Sequence, residues 1–173
     1  MKKLSELIKL MSEYESGVPH RVQHFLKVYG FAKTIGELEG LPSDVQFILE
    51  TAAIVHDIGI KPSIEKYGSS AGKYQEQEGG TVAKAMLVQL GFDATVIDRI
   101  CFLVRHHHTY TDVDGLDYQI LLEADFLVNM LEEKMTQPTI RSAYDKVFKT
   151  EAGKQLCRYQ YLCVPPSCHD ELL

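Results

Sequence analysis

Four residues in this chain have side chains that could share one metal ion: His24, the adjacent pair His56-Asp57, and Asp125. His24 falls in line with Val28, Phe31 and Ile35 at helical spacing, and His56 continues a stripe of Val45, Ile48, Leu49 and Ala52, so both rings should point inward. A single histidine on an apolar face is most often a core residue bonded to a backbone carbonyl. Asp125 shifts that balance, because it shares a stripe with Leu121, Leu122 and Val128. An ionised carboxylate is almost never fully buried without a partner, and the segment Leu116 to Met130 holds no Lys or Arg. A cation must then come from elsewhere, as an arginine or as a metal ion. Neighbours on a helix point about 100° apart, so His56 and Asp57 reach one ion only near a helix end, and Gly59 puts them near one. Two imidazoles and two carboxylates suit a divalent transition metal (Mn, Fe, Co, Ni or Zn, with Mg also admissible) better than calcium. Such a set leaves room for water, the reagent of metal-assisted hydrolysis.

The run His106-His107-His108 is the next unusual feature. Three consecutive histidines cannot face one site from a helix, but one or two at a helix end can touch a metal or a phosphate. Arg21, one turn before His24, and Lys61, just past the pair, are cations placed to contact phosphate. Cys157, Cys163, Cys168 and His169 match no common zinc spacing, and packing or a tail is the expected role of these cysteines.

These residues need helices to position them, and the dominant period is helical throughout. Val22, Phe25, Leu26, Tyr29 and Ala32 share one face of a helix from about Pro19 to Leu38, and Val28, Phe31 and Ile35 share a second. Apolar on two faces, that helix should be central, with Pro19 at its first position and Gly40 and Pro42 past its end. Ser43 and Gln46 resemble a capping box for a helix reaching His56, stopped by Gly59 and Pro62. A loop is expected from Lys61 to Lys73; its GSSAGK has the wrong spacing for a phosphate loop and no preceding strand. Further helices are expected near 75–90, 94–107, 117–133, 138–148 and 151–162, with Asp93 capping the second of them. Strand alternation is missing, so the class is all-α, with about seven to eight helices.

At 173 residues, one domain is expected, with a core over 19–133 and a helical extension over 134–173. Apolar content of 45% with 24% charged residues excludes a disordered chain. A formal charge of -6 argues against a nucleic-acid polymer as partner, though not against a small phosphorylated ligand. No apolar run is long enough for a membrane span, and MKKLSELIKLMSEYES reads as an amphipathic helix, not a signal peptide. The cytoplasm is the expected compartment, and the sequence leaves room for a homodimer.

A histidine in a central helix, then His-Asp, then a distant Asp, in the contexts HRVQHFLKVYGFAKTI, ETAAIVHDIG and ILLEADFLVN, resembles the HD superfamily of metal-dependent phosphohydrolases. The resemblance covers roughly residues 19–133 and implies an all-α bundle with the metal between central helices. It implies His24, His56, Asp57 and Asp125 as ligands, with Asp57 also orienting the attacking water, and a small phosphoester such as a nucleotide as substrate. Many members carry a further histidine where this chain has Gln75, so one metal per chain is expected, with Glu78 an oxygen donor in reserve. LVRHHHTY matches a second histidine segment and sets His107 and His108 near substrate, together with Arg21, Lys61, Gln75 and Glu78. The acidic residues of the guanosine tetraphosphate hydrolases are missing after HDIGIKPS, and GLDY does not match the GYP of the cyclic-dinucleotide branch. Two readings of other classes stand beside this one. A di-iron oxygenase would need more histidines than Gln75 allows, and a regulator would bind a nucleotide without turnover.

Overall fold

The computed structural model describes residues 2–163. Nine α-helices and a closing π-helical turn occur among the described residues, with no strand. They are α1 (Lys2–Tyr14), α2 (Pro19–Leu38), α3 (Ser43–Val55), α4 (Ile60–Tyr67), α5 (Gly72–Gln89), α6 (Ala94–Val104), α7 (Leu116–Glu132), α8 (Gln137–Lys146) and α9 (Glu151–Cys157), with the turn over Arg158–Leu162. No helix among the described residues is long and apolar enough to cross a membrane.

The two-faced pattern of α2 has the expected consequence. It lies between α3 and α7, with His24, Phe25, Val28, Ala32 and Ile35 buried. Helix α3 continues the core with Leu49, Ala52, Ala53, Ile54 and Val55, and reaches α6 on its far side. Pro19 begins α2, where its missing N–H costs nothing.

Three local expectations are corrected. The stretch from Lys61 to Lys73 is not all loop: α4 occupies its first half, because Pro62 sits in the first turn of that helix, where proline is tolerated. Ser43 is the first residue of α3 rather than its cap, and Gln46 turns to Glu50 and to the Lys33 carbonyl. Asp93 does stand at the cap position of α6, but its side chain makes no capping bond.

The turn from α3 into α4 brings the chain against α5 at Gly59. A Cβ there would run into the Gln75 carbonyl oxygen and come 2.8 Å from the Gly79 nitrogen. Only glycine permits this approach, which places His56 and Asp57 directly beside α5. The segment after Lys134 packs on α7 and on the end of α2. Glu123, fully buried, accepts from the backbone N–H groups of Lys149 at 2.6 Å and Thr150 at 2.9 Å, and Tyr161 donates to the Leu127 carbonyl at 2.6 Å. Of the four tail zinc candidates, Cys168 and His169 lie outside the described residues, while Cys157 is buried 3.9 Å from the Met130 sulfur.

Candidate metal centre

Four elements meet at the centre of the bundle. Helix α2 presents His24, the end of α3 presents His56 and Asp57, α7 presents Asp125, and the turn after α6 presents His107 and His108. His24 Nε2 lies 3.2 Å from His56 Nε2, 3.2 Å from Asp125 Oδ1 and 3.5 Å from Asp57 Oδ2. His56 Nε2 is 3.5 Å from Asp125 Oδ1 and 3.7 Å from Asp57 Oδ2. On the other side of Asp57, Oδ1 meets His107 Nε2 at 2.9 Å and His108 Nε2 at 3.9 Å. The structure therefore gathers the four expected ligands within one coordination sphere's width. His24, His56 and Asp57 form one ligand-like group, and Asp57, His107 and His108 form a second that shares the same carboxylate.

The other ring nitrogens decide what this arrangement wants. His56 Nδ1 is 2.9 Å from the Ala53 carbonyl, His107 Nδ1 is 2.7 Å from the Val104 carbonyl, and His24 Nδ1 is 2.9 Å from Glu132 Oε2. Each partner accepts only, so each Nδ1 carries a proton and each Nε2 is left to face the cluster, as a lone pair on a neutral ring or as a second N–H on a protonated one. The Nε2 atoms of His24 and His56 then face each other and the oxygens of Asp57 and Asp125. Asp125 Oδ1 is buried and, despite the short distances, accepts no well-directed hydrogen bond. Nitrogens and anionic oxygens this close need positive charge among them, supplied by the proton on His24 in the metal-free protein or by a metal ion in its place. The donor set fits a divalent metal, and its Nδ1 contacts are the kind that orient metal-bound histidines.

Protonation of the metal-free protein follows the same field. Burial alone would depress His24, but the carboxylates of Asp125, Asp57 and Glu132 outweigh it and lift its pKa to about 9. Burial likewise opposes charge on His107, and the Asp57 contact overcomes it. Asp57 is held down at about 2, because His56 and His107 outweigh the desolvation that would raise it, and Asp125 is held below the usual carboxylate range by His24 and His56 against the same penalty. His108, half-buried and next to His107, is pushed the other way, to about 4, by desolvation first and by its neighbour's charge second.

The centre floors a cavity of about 840 Å³, reached past α2 on one side and α4 and α5 on the other. Arg21, Gln75 and His108 line it. Gln75 Nε2 donates to the Ser70 carbonyl at 2.7 Å, while its Oε1 and His108 Nε2 are buried without hydrogen-bond partners. His107 is fully buried behind Asp57 and is not part of the cavity wall. Two expected substrate contacts lie elsewhere. Lys61 is 3.2 Å from the Tyr14 carbonyl and packs over the Tyr14 ring, and Glu78 is bound by Lys66 and Tyr67; neither lines the cavity.

Two acidic residues enter that the sequence reading did not single out. Glu132 lines the cavity and bridges His24 to Lys27, whose Nζ is 2.6 Å from Oε1. It stands seven residues after Asp125, at the last position of α7, where the sequence does not distinguish it from a solvated carboxylate. Glu15 is buried beneath Arg21, with Arg21 Nη2 at 2.8 Å from its Oε2, and burial pushes its pKa up. It lies in the turn between α1 and α2, where no periodicity marks a residue as buried.

The HD domain family matches residues 21–145 of this chain. The crystal structure of a predicted HD superfamily hydrolase from an uncultured Thermotogales bacterium superposes with a TM-score of 0.65 at 23% sequence identity, over 91% of this chain and 84% of that one. At that identity the likeness shows the shared fold. No curated protein matches the chain.

Proposed function

This chain belongs to the HD domain family, and from that membership we propose that it is a metal-dependent hydrolase that cleaves a small phosphoester. The observation that carries the reading is the inward convergence of His24 Nε2 and His56 Nε2 on Asp57 and on the unbonded oxygen of Asp125, at the floor of an open cavity. His24, His56, Asp57 and Asp125 would hold the metal, one per chain. Bound there, a divalent ion supplies an acidified water and a Lewis acid for a phosphoryl oxygen.

The chain's own groups do the rest. Asp57 faces the ligand cluster through Oδ2 and is fixed through Oδ1 by His107, so it can bind and orient water at the same time. Arg21 offers a guanidinium to phosphate from the cavity wall. Phe25, Ile60 and Ile64 give the same cavity an apolar side, suited to the ring or chain that carries the phosphate. The charge balance favours a single phosphate over a polyphosphate. The two lining cations, Arg21 and Lys27, are each paired with a carboxylate, and Glu133 adds a further negative charge. A nucleoside monophosphate meets these requirements.

The test is phosphate release from a panel of nucleoside mono-, di- and triphosphates and simple phosphomonoesters, with Mn, Co, Ni, Zn or Mg supplied in turn. Release from monophosphates that disappears in Asp57→Asn is expected. Silence across the whole panel, with bound metal verified, would remove the hydrolase reading.

A further inference from the structure

His56 and His107 are oriented by backbone carbonyls, which no side-chain substitution can remove. His24 differs: its Nδ1 rests on the side chain of Glu132, at 2.9 Å. That carboxylate is divided between two tasks. Oε2 takes His24, and Oε1 takes Lys27 at 2.6 Å, so neither oxygen is free to swing away. The pairing follows from helix spacing. His24 and Lys27 are three residues apart on α2, and Asp125 and Glu132 seven apart on α7, so two packed helices each bring one inner and one outer group to the same face.

An ordinary surface ion pair with Lys27 would need one oxygen only. Glu132 is itself a surface residue, its side chain 31% exposed, yet its second oxygen is turned inward to the buried ring. Its pKa is lowered: burial opposes this, and Lys27 and His24 prevail.

We propose that Glu132 is a positioning residue for the metal centre, which fixes the tautomer and ring orientation of His24 so that Nε2 faces the Asp57–Asp125 cluster as a ligand. The inference rests on the reading that this cluster holds a metal. The carboxylate raises the donor strength of the imidazole, and Lys27 locks the carboxylate in place. Substituting Glu132 removes no ligand, so it should weaken the site without abolishing it.

The experiment is titration of the full chain with Co(II), read by visible absorption and by competition with a chelator of known affinity. Glu132→Ala is expected to bind one Co(II) per chain about 10- to 100-fold more weakly than the parent, with a shifted ligand-field spectrum. Glu132→Gln keeps an acceptor for the Nδ1 proton and is expected to recover part of that loss, which a general loosening of the helix end would not produce. Lys27→Met should fall between the parent and Glu132→Ala. Should Glu132→Ala prove poorly folded by circular dichroism, Glu132→Gln carries the comparison alone. Binding by Glu132→Ala within twofold of the parent, with an unchanged spectrum, overturns the proposal and leaves the metal reading intact. Failure of the parent itself to bind Co(II) overturns both.

Discussion

At neutral pH, metal entering this centre must displace a proton from His24. The carboxylates around the ring lift its pKa to about 9, so nearly every metal-free molecule carries that proton at pH 7. Two pH units of protonation correspond to about 2.7 kcal/mol that binding has to overcome at pH 7, at about 1.36 kcal/mol per unit. Apparent affinity should therefore climb about tenfold per unit from pH 7 towards 9 and level off above that. Calorimetric titration in two buffers of different ionisation heat, at pH 7.5, should report release of about one proton per metal bound. The same shift governs folding. A histidine with a raised folded-state pKa lends stability in full below its ordinary value near 6.5, and loses it as pH rises through about 9. For His24 that is about 3 kcal/mol, or roughly 6 to 12 °C in melting temperature for a chain of this size. The metal-free protein should lose that stability between pH 6.5 and 9, and the metal-loaded protein should not. The depressed carboxylates act in the opposite window: Asp57 stabilises the metal-free fold above about 4 and loses this as pH falls towards 2. Affinity that stays flat from pH 6.5 to 9, with no proton released, would refute this assignment of the proton to His24.

Three further outcomes follow from the packing. Gly59→Ala drives a Cβ into the backbone of α5, which cannot yield as a side chain can, and should destabilise the fold by about 1–3 kcal/mol or more; a melting temperature within 1 °C of the parent on differential scanning would contradict it. Tyr118→Phe removes a buried hydroxyl that donates to the carbonyls of His106 at 2.6 Å and Thr109 at 2.7 Å, so it should cost about 1–2 kcal/mol. Amide exchange over 105–115 should speed up in that variant, and unchanged protection would show that the turn carrying His107 is held by other means. Glu123→Ala orphans the buried amide of Thr150 and the part-buried amide of Lys149, at about 1–3 kcal/mol, and should open the 134–150 segment to limited proteolysis well before the rest of the chain.

The sequence disclosed those parts of the centre in which chemistry and periodicity coincide. His24 and Asp125 stand out because a polar group interrupts an apolar stripe, and His56-Asp57 because a glycine ends the helix just after it. What periodicity does not encode was missed. Glu132 ends α7, where a carboxylate reads as an ordinary solvated residue until the His24 ring is found above it. Glu15 sits in the turn between α1 and α2, and it is buried only once the chain folds and Arg21 closes over it. Lys61 lies four residues after Asp57, but the start of α4 turns its side chain to Tyr14 instead of the cavity. Helix α4 itself was hidden by Pro62, which stops a helix from within and is accepted in a first turn.

Whether His24, His56, Asp57 and Asp125 hold a metal is read by elemental mass spectrometry on the purified chain, beside Asp125→Ala. About one transition metal per parent chain is expected, lost in the variant. A parent chain that takes up no metal, even after incubation with Mn, Co, Ni or Zn, would contradict the metal assignment; two irons per chain would contradict the single-metal centre.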